Sequence, residues 1–152
     1  MRLHYFMGRI LSPFHTSFFI IYNKLFHTPR ARVLVWNENN ELLLVRNWAG
    51  TQQWGLPGGG VEGKESPINA AKRELYEEIG VKMPFTDFLH VATLHQQYEA
   101  WIYTVMIPRV AIPDKPHNPW EITDIRWFSP EDLPADISPL VPLTLKHLSK
   151  SD

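Results

Sequence analysis

The stretch SPINAAKRELYEEIG, residues 66–80, constrains the fold more than any other part of this chain. Ser66 can accept a hydrogen bond at a helix N-terminus, Pro67 suits the first helical position, and Gly80 suits the left-handed residue that closes a helix. Between them Ile68, Ala71, Leu75 and Ile79 recur at helical spacing, so the segment predicts an amphipathic helix over 66–79 laid against a core. The same helix carries Glu74, Glu77 and Glu78. At about 100° per residue these carboxylates project within an arc of about 100°, beside the apolar face rather than opposite it. Like charges at i,i+4 cost roughly 0.2–0.5 kcal/mol, and each anion near the negative end of the helix dipole adds about 0.3–1 kcal/mol. The triplet is thus about 1–3 kcal/mol unfavourable by itself. Two readings meet that cost: the acids form a solvated face, or they surround a divalent cation, which hard oxygen ligands with retained waters hold well.

The flanks supply context. Gly58, Gly59 and Gly60 follow Pro57, a backbone able to adopt positive φ and to admit close approach, although an ordinary tight loop has the same composition. Glu65 stands at the helix entrance and Arg73 eight residues on, so an ion pair can join loop to helix, and Arg73 can orient neighbouring carboxylates by bidentate bonds.

With 152 residues and 44% hydrophobic content, the chain can bury one sizeable core. RARVLVW (30–36) and ELLLVRN (41–47) are β-rich runs joined by the polar turn NENN, and residues 87–98 and 100–108 read as two longer strands turning near Glu99. VAIPDKPHNPWE, with its three prolines, reads as a flexible or lid-like connection; ITDIRWFS reads as a strand, PEDLP as a short helical turn, and 137–150 as a last helix entered through Pro139 and Pro142. Cysteine is absent, which excludes disulfides, thiolate metal sites and a cysteine nucleophile, and accords with a reducing, cytoplasmic compartment.

Read as Gly59, five residues, Glu65, seven residues, Arg73, Glu74, Leu75, one residue, Glu77, Glu78, one residue, Gly80, Val81, the segment resembles the Nudix box with every defining position filled. The flanking WGLPGGGVE and the later IRWFSPEDLP look like the same family, so the resemblance spans about residues 30 to 135. It implies an α/β fold, an α/β/α sandwich around a mixed β-sheet. It also implies a hydrolase of phosphorus-containing acid anhydrides, dependent on Mg²⁺ or Mn²⁺. Such an enzyme cuts a pyrophosphate bond in a nucleoside diphosphate linked to another moiety, as in a nucleoside triphosphate, a dinucleoside polyphosphate or a nucleotide sugar.

Carried over position by position, the resemblance makes Glu74, Glu77 and Glu78 metal ligands, with Arg73 and Glu65 supporting them and Gly59 letting the loop backbone turn toward the metal. The general base is then Glu77 or Glu78, with Glu121, in the Trp/Pro loop, as the candidate outside the box; a surface role for Glu121 stays open. Arg46 could meet a substrate phosphate or simply face solvent at a strand end. Trp54 and Leu56 precede the glycine run, where Trp54 either covers a base or wedges the loop onto the core. Tyr98 lies 18 residues after Gly80, placed like the tyrosine downstream of the box in some dinucleoside polyphosphate hydrolases. Trp48, Trp101 and Trp120 are further stacking candidates, against the usual packing role of aromatics.

Residues 1–37 hold five Lys/Arg and no acid, leaving 10 basic against 16 acidic residues beyond. Residues 1–29 form a basic, aromatic extension before the hydrolase domain, 30–152. Its longest uninterrupted apolar run, Phe18 to Tyr22, is far short of the roughly 20 residues a membrane-spanning helix needs, and Arg9, Pro13 and His15 interrupt any signal-like core. The extension is expected as helices packed on the domain's own core, with a peripheral membrane contact or a transit peptide as the other readings. The expected partner is a small-molecule nucleotide substrate; nucleic acid enters only as a capped or triphosphorylated RNA end, and a dimer is one open oligomeric state. A catalytically inactive nucleotide-binding regulatory module on the same fold is the competing function, although such a module has little reason to keep a costly acidic cluster. An isomerase on this fold would want a protonating cysteine that the chain lacks.

Overall fold

The computed structural model describes residues 28–48, 50–82, 87–95, 99–112 and 115–149. Strand β1 (Arg30–Trp36) and strand β2 (Leu42–Asn47) form where the two β-rich runs predict them. Their turn is built by Asn37, which is fully buried: its Oδ1 accepts from the Asn39 and Glu41 N–H groups at 2.9 and 3.0 Å. Asn40 takes the left-handed φ of 57° that closes the turn. Beyond the single pair Trp36↔Leu42 the two strands part. Strand β2 pairs instead along strand β6 (Ile122–Phe128) and, at its far end, with the two-residue strand β3 (Trp54–Gly55), which falls in a stretch the sequence predicts as loop.

Strands β4 (Leu89–His95) and β5 (Glu99–Met106) pair antiparallel as the expected neighbours, and β5 runs parallel to β1 from Arg30↔Ala100 to Trp36↔Met106. The sheet is therefore mixed, in the order β3-β2-β1-β5-β4 with β6 on β2.

Helix α1 (Pro67–Ile79) obeys its predicted caps: the Asn69 N–H donates to Ser66 Oγ at 3.4 Å, Pro67 opens the first turn, and Gly80 at φ 75° returns its N–H to the Tyr76 carbonyl at 2.8 Å. Its Ala70, Ala71, Leu75 and Ile79 are fully buried against Ala31, Val33 and Val35 of β1 and against Leu43, Tyr103 and Val105. Burying Leu75 and Ile79 contributes roughly 2–3 kcal/mol each. The opposite parity of the same strands, Leu34, Leu42, Leu44 and Ile102, meets Val141 and its neighbours on helix α2 (Leu140–Leu148). A helix on each face explains why β1 and β2 read as nearly continuous apolar runs. This is the α/β/α sandwich that the resemblance implied.

Two expectations change in detail, and a third falls outside the described residues. PEDLP forms a turn without helix: the Asp132 N–H donates to the Ser129 carbonyl at 3.0 Å, and Pro134 has no N–H with which to extend a ladder. The described part of the proline-rich connection is fastened rather than lid-like: a 3-10 turn at Arg109–Ala111 is followed by a segment whose His117 N–H donates to the Glu78 carbonyl at 3.2 Å. The helices and membrane contact expected of the N-terminal extension lie outside the described residues up to position 27. Among the described residues no helix is long and apolar enough to cross a membrane.

Candidate functional site

Where β1 and β2 part, the glycine loop fills the gap. The Ala31 N–H donates to the Gly59 carbonyl, Val33 N–H to Pro57 and Val61 N–H to Pro29, each at 2.9 Å, so the loop lies as an extra edge on β1. Gly58 makes this contact feasible: its φ is +124°, and a Cβ there would sit 2.2 Å from the Ala31 carbonyl oxygen. Gly59 has a different reason, since its Cβ would fall 2.3 Å from Glu74 Oε1. The positive φ expected of the run thus belongs to Gly58, while Gly59 leaves room for a carboxylate.

The acids of α1 are sorted by depth. Going round the helix from Arg73 toward the apolar face one meets Glu77, then Glu74, then Glu78, and their exposure falls in that order: the Glu77 side chain is 45% exposed, Glu74 7% and Glu78 1% as residues. Oxygens of Glu74, Glu78 and Glu121 all lie within 4.8 Å of one another, and Glu77 is outside that group. Glu121 arrives from the segment before β6, held by its carbonyl accepting the Trp48 N–H at 2.7 Å. The same segment is pinned to the end of α1 by His117, whose ring lies 5.3 Å from that of Tyr76.

Charge compensation is uneven. Arg73 is the hub: its Nη2 donates to Glu65 Oε1 at 2.8 Å and to the Gly60 carbonyl at 2.9 Å, and its Nη1 to Glu74 at 3.0 Å and Glu77 at 3.2 Å. The loop-to-helix ion pair is therefore present. Hydrogen bonding to Arg73 holds the Glu65 carboxyl below its ordinary value, and Glu65 in turn raises Arg73. Burial pushes Glu74 up, with Arg73 offsetting part of the rise. Burial pushes Glu78 up to about 8, although Arg32 and the Gly58 N–H, which donates to Glu78 Oε2 at 2.8 Å, favour its charged form.

Three oxygen donors gathered at the wall of a cleft, two of them buried and biased toward protonation, are the donor set that a hard divalent cation fits. The cleft, about 930 Å³, opens between the glycine loop and residues 47–53 and is lined by Glu74, Glu78 and Glu121.

The substrate candidates separate. Leu56 lines this cleft, though it is only 3% exposed, packed in the core cluster that holds Leu34, Leu42 and Trp54. Trp54 is likewise 3% exposed, edge-on to Phe128 at 5.0 Å, with the Arg46 guanidinium 4.7 Å above its ring. Arg46 pairs with Asp136 at 2.5 Å, and neither Arg46 nor Trp54 is part of the cleft lining. Tyr98 lies outside the described residues.

Two participants escaped the sequence reading. Arg32 donates through Nη1 to the Gly58 carbonyl and, at 3.3 Å, to Leu56, bracing the loop beside Glu78. A signal existed: Arg32 interrupts β1 at the parity of Leu34, where an apolar residue would be expected. His117 had none, since its partners Tyr76 and Gly80 are distant in sequence.

Comparison with known proteins bears on the family and the fold. A family model described as NUDIX domain matches residues 26–147. A human diphosphoinositol polyphosphate phosphohydrolase is 32% identical over 120 residues, covering 74% of this chain and 63% of that protein. A rat diphosphoinositol polyphosphate phosphohydrolase 2 is 32% identical over 101 residues, covering 62% of this chain and 53% of its own. The chain thus spans somewhat under two thirds of these relatives. Among solved structures, a nudix hydrolase family member from Chromobacterium violaceum superposes with TM-score 0.63 at 19% identity, covering 81% of this chain and 77% of that one. An Ap4A hydrolase from C. elegans superposes with TM-score 0.60 at 20% identity, covering 80% of this chain and 96% of that one.

Proposed function

This chain belongs to the NUDIX family, and on that premise we propose that it is a divalent-metal-dependent hydrolase of pyrophosphate bonds, acting on a nucleoside diphosphate joined to another group. The observation that carries the reading is the convergence of Glu74, Glu78 and Glu121 within 4.8 Å beside a cleft of about 930 Å³. In the proposed assignment these three carboxylates hold Mg²⁺ or Mn²⁺, which would neutralise diphosphate charge and make a water more acidic.

The chain's own residues divide the remaining work. Arg73 fixes Glu74 from one side while Glu65 fixes Arg73, so the carboxylate geometry is set before a ligand arrives. Gly58 orients Glu78 through its N–H. Glu77 or Glu78 is the first candidate to take the proton from the attacking water, with Glu121 as the candidate outside the box; Glu78 and Glu121 line the cleft, whereas Glu77 is half-exposed and bonded to Arg73. Gly59 contributes space for Glu74. Leu56 is assigned as a substrate contact in the cleft wall, Arg46 and Trp54 act by shaping that wall from behind, and Tyr98 is kept as a base contact. Residues 1–29 are assigned as an extension to a hydrolase domain of 30–152, with a cytoplasmic site of action.

The test is Mg²⁺-dependent release of nucleoside monophosphate from a panel of nucleoside triphosphates, dinucleoside polyphosphates, nucleotide sugars and ADP-ribose. A diphosphoinositol polyphosphate, whose hydrolysis is read as release of orthophosphate instead, is assayed beside the panel because the relatives in sequence bear that name. Glu77→Gln should lower turnover by orders of magnitude with folding nearly intact. Wild-type turnover by that variant removes Glu77 from the base role, and no turnover of any substrate by the native chain rejects the hydrolase.

A further inference from the structure

The side chain beside Glu121 is an uneconomical placement for so large an apolar surface. Trp120 is 72% exposed and lines the same cleft as the acidic cluster, one residue before the glutamate that joins it. Trp48 lines the cleft from the other side of the Glu121 backbone, to which its N–H is bonded at 2.7 Å. An indole 72% exposed in the lining of a polar cleft, on a backbone that is itself fastened, keeps most of its apolar surface accessible to what enters. Such a face gains by stacking a planar heterocycle, whereas a polyphosphorylated inositol ring would bring charged phosphates against the indole.

Charge points the same way. Among the described residues lining the cleft, the cations are Arg30 and Arg32, set against Glu62, Glu74, Glu78 and Glu121. Arg32 already donates to the Gly58 and Leu56 carbonyls. One diphosphate with bound metal matches that balance. An inositol ring bearing a diphosphate and several further phosphates brings more negative charge than these described arginines offset, since each added phosphate needs a cation to repay its lost hydration.

We infer that Trp120 is a specificity-determining residue, stacking the base of a nucleoside diphosphate compound beside the Glu121 carboxylate, and that the cleft thereby selects nucleotides over the inositol phosphates for which the similar sequences are named. This rests on the hydrolase reading for its substrate class, but not for its measurement. Binding of adenosine 5′-monophosphate and of ribose 5-phosphate to the full chain, by titration calorimetry with Mg²⁺ present, isolates the base at constant phosphate.

The native chain should bind the nucleotide about tenfold more tightly than the sugar phosphate. Trp120→Ala should erase that gap, and Trp120→Phe should keep most of it. Equal affinities in the native chain overturn the inference, and so does an alanine variant that weakens both ligands alike, since that is the signature of a residue merely holding the Glu121 segment. Hydrolysis of ADP-ribose and of a diphosphoinositol pentakisphosphate forms a second arm. Faster cleavage of the inositol compound overturns the selectivity while sparing the hydrolase. A base-dependent gap that vanishes in Trp120→Ala, without turnover of any compound of the whole panel above, supports Trp120 and rejects the hydrolase.

Discussion

Replacing Glu78 by Gln tests whether a buried charge is held in reserve for a cation. Glu78 is 1% exposed, and its carboxyl rises from the ordinary 4.5 to about 8 because burial penalises the anion more than Arg32 and the Gly58 N–H favour it. A carboxyl raised in the folded state contributes stability that is full below about pH 4.5 and is lost as pH climbs toward 8. Each tenfold step in proton activity between those limits is worth about 1.4 kcal/mol. At pH 7 the native metal-free protein should therefore have lost on the order of 3 kcal/mol relative to pH 4.5 through this one group. For a domain of this size that is roughly 6–12 °C in Tm.

Gln keeps an oxygen for the Gly58 N–H, now 2.8 Å from Glu78 Oε2, and carries no charge to bury. The difference in Tm between Glu78→Gln and the native chain, measured without metal by scanning calorimetry at several pH values, should grow in the variant's favour from pH 5 to pH 8. Millimolar Mg²⁺ should reverse the order, since the cation stabilises only the ionised carboxylate, and Mg²⁺ affinity of the native chain should rise over the same pH range. A difference independent of pH in the absence of metal would refute the argument from burial. A variant stabilised by Mg²⁺ as much as the native chain would refute the role in the cluster.

The glycine loop makes two contrasting predictions. Gly59→Ala places a Cβ 2.3 Å from the end of the Glu74 side chain, which can swing away, so Mg²⁺ affinity should fall about tenfold or more while Tm drops only a few degrees. Gly58→Ala meets the Ala31 backbone at 2.2 Å with φ +124°, so it should cost more than about 2 kcal/mol in urea denaturation; a neutral Gly58→Ala would mean the loop does not lie on β1 as described. Arg73→Lys retains charge but cannot reach Glu65, Glu74, Glu77 and the Gly60 carbonyl together, and should cost about 2 kcal/mol by the same assay. A loss below about 0.5 kcal/mol would reduce Arg73 to an ordinary surface ion pair.

How much was legible follows the range of each interaction. The caps of α1, its apolar face and the strand runs were readable because a cap, a 3.6-residue period and a two-residue alternation are settled within a few neighbours. The acidic arc could likewise be drawn from the helix period. Its depth could not, because Glu77 and Glu78 differ by one residue yet stand at 45% and 1% exposure. That contrast required knowing that Ala71, Leu75 and Ile79 settle on β1 and draw Glu78 under the glycine loop.

The sequence by itself therefore determined the helix, its charge and the glycines that let a backbone pass close to it. Only the tertiary structure decided which carboxylates meet: Glu121 reaches Glu74 and Glu78 because a segment 43 residues from Glu78 crosses the end of α1 and is tied there through His117 and Trp48. Local periodicity places a side chain around its own axis, whereas burial and convergence depend on what a distant part of the chain lays against it.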